Sequence, residues 1–209
     1  MSDIQQGTDE WFKERLGKLT ASRFHEAIAK TKSGWGASRA NYMADLIAER
    51  LTGVTVEKYT NATMQWGIDT EPEAAAAYAF YVNAEVTEVG FVPHPTIPMA
   101  GASPDRLVGK QGLAEIKCPL TATHIESLLG DPIDGKYITQ MQFQMACTGR
   151  KWCDWVSYDP RMPQHMRLFV KRVPRDDARI LELETMAREF LAELAAKVAA
   201  LRKQYEEAA

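Results

Sequence analysis

Residues 103–119 read Ser-Pro-Asp-Arg-Leu-Val-Gly-Lys-Gln-Gly-Leu-Ala-Glu-Ile-Lys-Cys-Pro. This stretch commits the middle of the chain to a sheet. Asp105–Val108 and Leu113–Cys118 are strand candidates, and the turn at Gly109–Gly112 is short enough for them to pair antiparallel. Residues i and i+2 of a strand share a face, so Glu115 and Lys117 project together while Ile116 points the other way, into a core. Asp105 lies on the preceding strand. Two carboxylates and one amine therefore converge near the sheet surface.

Close carboxylates repel, and something must neutralise them. A hard divalent cation with oxygen ligands and open water positions, Mg²⁺ or Mn²⁺, does this best. Such a site beside a lysine suits phosphodiester hydrolysis. The metal polarises a phosphoryl oxygen and lowers the pKa of bound water. The lysine orients or helps deprotonate that water and offsets charge on the phosphorane. The same pattern also describes the exposed face of a hairpin carrying a surface ion pair.

The surrounding elements are helical. Thr8-Asp9-Glu10 opens a short helix through Arg15, ending at Gly17. Thr20-Ala21-Ser22 caps a helix over Arg23–Lys30, and another runs from the Gly34–Gly36 loop to about Leu51. Residues 61–83 form a long helical pattern in which Pro72 signals a break or a second first turn. Glu85–Phe91 and Met99–Ser103 read as strands around a loop punctuated by Pro93, Pro95 and Pro98. Thr121–Leu129 and Tyr137–Cys147 read as helices, and Trp152–Tyr158 and His165–Val173 as strands. Ile180, Leu183, Ala187, Phe190, Leu194, Val198, Leu201 and Tyr205 step by three or four through a closing helix over 175–207. The order implies an α/β or α+β fold, with a sheet of about five strands. The expected organisation is one domain over 1–209, with a helical part at 1–83, a catalytic sheet core at 84–173 and the last helix.

A chain of 209 residues supports one ordinary core, and no apolar run is long enough to span a membrane. The start, Met1 to Trp11, is polar and acidic, unlike a secretory signal. Cys118, Cys147 and Cys153 are too few and scattered for a disulfide framework, so a reducing, cytoplasmic setting is expected. The net charge of −3 argues against holding nucleic acid by bulk electrostatics. Local basic clusters remain: seven Lys/Arg against two Glu from Trp11 to Arg39, and seven against two Asp from Thr148 to Arg175.

Three further features bear on the carboxylate pair. Glu71 is either a first-turn helix acid or a third carboxylate from a helix packed on the sheet. Gln140 and Gln142 lie on a largely apolar helix, where a glutamine needs a polar partner. Arg15 stands just ahead of the hydroxyl-rich Thr20–Ser22, which makes a plausible phosphate clamp.

These landmarks, in order, are W-x-x-x-R-L-G-x-x-T-A-S (Trp11 to Ser22), W-G-x-x-x-E (Trp66 to Glu71), S-P-D (Ser103 to Asp105), E-I-K-C-P (Glu115 to Pro119), Q-x-Q (Gln140 to Gln142) and Y-D-P-R (Tyr158 to Arg161). The chain from about Gly7 to about Arg175 resembles the PD-(D/E)xK nuclease superfamily. Within it, the resemblance is to the phage lambda-type alkaline exonucleases, the YqaJ-like viral recombinase family.

The resemblance implies a restriction-endonuclease-like core, a mixed sheet flanked by helices. It implies a Mg²⁺-dependent, processive 5′-to-3′ exonuclease on linear double-stranded DNA, releasing 5′-mononucleotides and leaving a 3′ single-stranded tail. A ring-shaped homotrimer, a phage single-strand annealing partner and a phage or prophage gene in a bacterial host go with it. Asp105, Glu115 and the Ile116 carbonyl would bind metal, with two ions per site and Mn²⁺ as a substitute. Glu71 would be an outer ligand, Lys117 the water-positioning group and Gln142 a further catalytic residue. Arg15, Ser22, Ser103 and Gln142 match positions around the terminal 5′ phosphate. Met64 falls where the family places an apolar wedge that splays the end base pair; simple core packing is the competing reading. Arg106 departs from the small residue the family often has there; it would either strain a tight turn or contact DNA, and its role is left open. Arg161 has no role beyond a basic patch. An endonuclease of the same superfamily and a catalytically inactive DNA-binding scaffold are the alternatives.

Overall fold

The computed structural model describes residue 2, residues 4–56 and residues 61–206. The N-terminal part contains α1 (Asp9–Arg15), β1 (Leu19–Thr20), a 3-10 turn (Ala21–Arg23), α2 (Phe24–Ala27), β2 (Lys30–Thr31), β3 (Gly34–Trp35), α3 (Ala37–Thr52) and α4 (Ala62–Val82). Then come β4 (Val86–Thr87), β5 (Val92–Pro93), β6 (Ala100–Ala102), β7 (Arg106–Val108), β8 (Gly112–Lys117), α5 (Thr121–Leu129) and α6 (Gly135–Thr148). The chain closes with β9 (Trp152–Tyr158), β10 (Leu168–Pro174) and α7 (Asp177–Glu206). Residues 57–60, inside the expected helical part, and residue 207, the expected end of the last helix, lie outside the described residues.

The expected mixed α/β architecture is present. Five strands pair in the order β10-β9-β8-β7-β4, with β8 and β9 parallel and the other pairs antiparallel. Gly112 of β8 sits opposite Trp152 of β9. A Cβ there would come within 2.1 Å of the Trp152 ring, so only glycine lets the two strands meet in this register.

The alternation along β8 divides the core in two. Ala114 and Ile116 pack with Ala74, Ala75 and Tyr78 of α4 and with Val156 and Tyr158 of β9. Leu113 belongs to the larger cluster on the opposite face, with Met141 and Met145 of α6 and Leu183, Phe190 and Leu194 of α7. Glu115 shares the face of Leu113 and is therefore driven into the layer between the sheet and α6.

Several boundaries differ from the expected ones. Glu85–Phe91 does not form one strand: only Val86–Thr87 pairs with β7. Residues 90–91 turn instead to the N-terminus, where Ser2 N–H donates to the Phe91 carbonyl at 3.3 Å and Gly90 N–H to the Ser2 carbonyl at 3.1 Å. Met99–Ser103 shrinks to β6, which joins β1 and β5 in a separate sheet. The helix expected over Arg23–Lys30 stops at Ala27, because Lys30–Thr31 pairs with Gly34–Trp35 in a hairpin. The helix at 61–83 runs unbroken through Pro72. Pro72 removes one backbone donor, but it does so on an exposed face, where the freed carbonyl meets water. The strand expected from His165 begins at Leu168, after a 3-10 turn at Gln164–Met166. No helix among the described residues is long and apolar enough to cross a membrane.

Candidate active site

Asp105 ends the loop that leads into β7, one residue before the first pair of that strand, Arg106 with Ala114. Its Oδ2 accepts from the Ile116 N–H at 2.7 Å. In an extended strand the N–H and C=O of one residue point to the same side. The Ile116 carbonyl therefore faces the same edge as Asp105. Lys117 donates from Nζ to Glu115 Oε1 and stands 3.9 Å from Asp105 Oδ2. The expected meeting of Asp105, Glu115 and Lys117 is thus formed, as a buried cluster and not as the exposed face of a hairpin: Glu115 is 0% exposed.

The electrostatics follow from that burial. Burial and the charge of Glu115 raise the Asp105 carboxyl to about 8. Burial works against the Lys117 charge, yet the carboxylates of Glu115 and Asp105 outweigh it and push its pKa upward. The cluster is one cation short of neutralising both acids. Among the described residues no three His, Cys, Asp or Glu side chains gather into a metal cage. The donors on offer are two carboxylates and a backbone carbonyl, all oxygen, and Asp105 Oδ1 receives no hydrogen bond from the described residues. This set fits a hard divalent ion that keeps much of its water.

Glu71 lies on α4, facing this edge, and its Oε1 accepts from Arg106 Nη1 at 3.1 Å. Arg106 also pairs with Glu88 at 3.4 Å. It carries no positive-φ strain: among the described residues, those with positive φ other than glycine are Asn83 and Met99. Its departure from the family pattern supplies a partner for Glu71.

Gln142 is not brought to the cluster. Its Nε2 donates to the Pro174 carbonyl at 2.8 Å and its Oε1 accepts from the Asp176 N–H at 2.9 Å, so it ties α6 to the start of α7. The glutamines that reach Glu115 are Gln140, with Nε2 2.7 Å from Oε1, and Gln144, with Nε2 2.6 Å from Oε2. The reason is helical geometry. Residues four apart share a face, whereas two apart differ by about 200°. The step from Gln140 to Gln144 was the signal in the sequence.

The clamp residues do assemble. Arg15 donates from Nη1 to Ser103 Oγ at 3.1 Å and from Nη2 to Ser22 Oγ at 3.4 Å. Its guanidinium lies 4.1 Å from the Trp11 ring, and Trp11 Nε1 donates to Ser103 Oγ at 3.0 Å. Burial lowers the Arg15 pKa to about 10, still well above neutrality. Gln6, absent from the expected set, holds this loop from behind: its Nε2 donates to the carbonyls of Val89 and Pro104, each at 2.8 Å.

Met64 is 50% exposed on the first turn of α4, which removes the core-packing reading. Arg161 is structural: it donates to both oxygens of Asp159, stacks 4.5 Å from the Trp66 ring and reaches the Pro119 carbonyl at 3.3 Å. Two landmark segments far apart in sequence are joined by this contact. Cys118, Cys147 and Cys153 are all buried free thiols.

Comparison with known proteins identifies the family and the fold. A search of curated protein sequences gives no significant match. The solved structure of LHK-Exo in complex with dAMP is 52% identical, with a TM-score of 0.90 over 97% of this chain and 100% of that one. The structure described as an alkaline exonuclease (LHK-Exo) from Laribacter hongkongensis matches equally. A phage related exonuclease from Haemophilus somnus 129PT shares the fold at 15% identity, with a TM-score of 0.62 over 86% of this chain and 96% of that one. The model of the YqaJ-like viral recombinase domain matches residues 10–151, more than half of the sequence, and the chain belongs to that family.

Proposed function

We propose that the protein is a Mg²⁺-dependent exonuclease that digests linear double-stranded DNA from 5′ ends, in the 5′-to-3′ direction. It releases 5′-mononucleotides and leaves a 3′ single-stranded tail. The observation that carries this reading is the bond from Arg15 to Ser103, two residues ahead of Asp105 in the same loop. A clamp for a terminal phosphate beside a hydrolytic carboxylate pair suits an enzyme that begins at ends. The 52% identity to a protein described as an alkaline exonuclease supports it.

Asp105, Glu115 and the Ile116 carbonyl would hold Mg²⁺ or Mn²⁺, with Glu71 acting through water on a second ion. The bound cation would polarise the phosphoryl oxygen and acidify water. Lys117 orients the attacking water and offsets the growing negative charge. Arg15, Ser22 and Ser103 grip the 5′ phosphate through charge-assisted hydrogen bonds. Gln140, beside Glu115, takes the place in the site first given to Gln142. Met64, exposed at the start of α4, serves as the wedge at the end base pair.

A homotrimeric ring around the DNA, acting processively in the bacterial cytoplasm for a phage or prophage recombination system, reconciles the net charge of −3 with a DNA substrate. Encirclement holds the track by topology and needs positive charge only inside the channel. A single-strand annealing protein would receive the 3′ tail.

Linear DNA labelled at one 5′ or one 3′ end tests the reading, with Mg²⁺ and with EDTA. Early release of the 5′ label, arrest by EDTA and survival of covalently closed circles are expected. Cutting of the circles points to an endonuclease, and no cleavage at all points to a binding scaffold; either result overturns the proposal. Solution mass tests the ring, which a fully processive monomer would refute.

A further inference from the structure

Resting on the nuclease reading above, we propose that Gln144 is a positioning residue that anchors one oxygen of Glu115 so that the other faces the metal. The two oxygens of this carboxylate have different partners. Oε1 accepts from Lys117 Nζ and from Gln140 Nε2. Lys117 Nζ is also 3.9 Å from Asp105 Oδ2, so Oε1 is the oxygen turned toward Asp105 and toward the proposed ion position between the two acids. Among the described residues Oε2 has a single donor, Gln144 Nε2 at 2.6 Å.

Gln144 and Glu115 are both 0% exposed. A carboxylate only accepts, so the amide must present its NH₂ group to Oε2. Its own carbonyl oxygen is then left buried with no partner. The fold tolerates an unpaired acceptor at Gln144 in order to keep this donor in place. An apolar side chain there would leave an anionic oxygen in a water-excluded layer with no donor. Glu115 would then rotate toward another donor, and that change removes it as a metal ligand. Gln144 reaches the site through Glu115 Oε2, so its effect falls on metal affinity and not on the chemical step.

The test compares Gln144→Leu and Gln144→Met with the wild-type protein, without DNA, by calorimetric titration with Mn²⁺ alone. Loss of an outer partner of a metal ligand weakens binding by about 10–100-fold, and a shift of that size is expected in both variants. In DNA digestion the Mg²⁺ concentration for half-maximal rate should rise in parallel, while kcat at saturating Mg²⁺ recovers. The melting temperature in EDTA reports any purely structural loss. A variant that melts lower but binds Mn²⁺ as the wild type does overturns the role of Gln144 and leaves the nuclease reading standing. A wild-type protein that binds no Mn²⁺ overturns the metal site itself.

Discussion

Arg15 donates to the hydroxyl of Ser103 at 3.1 Å across 88 residues of chain, and so fastens the first helix to the loop that carries Asp105. Trp11, one helical turn before Arg15, lies under the guanidinium at 4.1 Å and donates to the same hydroxyl. The cation is held by stacking on one side and by hydroxyl oxygens on the other, which leaves its charge free for an anion. On the proposed function, end recognition and hydrolysis share one loop.

Arg15→Ala should abolish the preference for 5′-phosphorylated over 5′-hydroxyl ends. A hydrogen bond to a charged group contributes about 1.5–3 kcal/mol, so the wild-type preference should be roughly 10–100-fold. Rates on matched phosphorylated and dephosphorylated duplexes measure it. A wild-type protein indifferent to the phosphate removes the clamp.

Lys117→Ala should stop turnover while DNA ends still bind. Loss of a positioned proton-transfer or charge-stabilising group costs about 10²–10⁴ in rate. Single-turnover cleavage, read beside fluorescence anisotropy of an end-labelled duplex, separates the two effects. Near-normal cleavage would exclude the lysine from the chemistry.

Gln140→Leu and Gln142→Leu should behave oppositely. Gln140 touches Glu115, whereas Gln142 bonds the Pro174 carbonyl and the Asp176 N–H. The first substitution should lower activity more than stability. The second should leave the chemistry intact and cost about 1–3 kcal/mol in denaturant unfolding, because two backbone groups lose their partner. Inactivity of Gln142→Leu with unchanged stability would reverse the assignment.

Asp159 predicts an acid limb of stability. Burial raises its carboxyl, but hydrogen bonds from Arg161 and Thr121 outweigh that and hold it at about 2, below the ordinary 3.8. A depressed carboxyl stabilises the fold fully above about pH 4, and the contribution disappears as pH falls through about 2. The gap in melting temperature between wild type and Asp159→Asn should therefore be constant from neutral pH to about 4 and close below it. A gap that persists at pH 2 would assign the stabilisation to packing instead.

The amino-acid sequence by itself determined the parts of this protein that depend on near neighbours. The alternation of Leu113, Glu115 and Lys117 against Ala114 and Ile116 set the two faces of β8, and Asp105 fell beside Glu115 because the intervening turn is short. The steps from Ile180 to Val198 marked the buried face of α7. The family resemblance put Arg15, Ser22, Ser103 and Gln142 in one group, of which the first three meet and Gln142 does not.

Tertiary structure alone decided what meets these elements from far along the chain. Whether residues 85–91 extend the main sheet depends on the N-terminal segment, which captures Phe91 and Gly90 through Ser2. Which glutamine serves Glu115 depends on the rotation of α6 about its axis, and that rotation is set by the packing of Met141, Phe143 and Met145 into the larger core. The pairing of Arg106 with Glu71 and the stacking of Arg161 on Trp66 likewise arise between elements brought together only by folding. Local periodicity tells which side chains share a face. The partner across that face is chosen by the simultaneous packing of all layers, which no single stretch of residues contains.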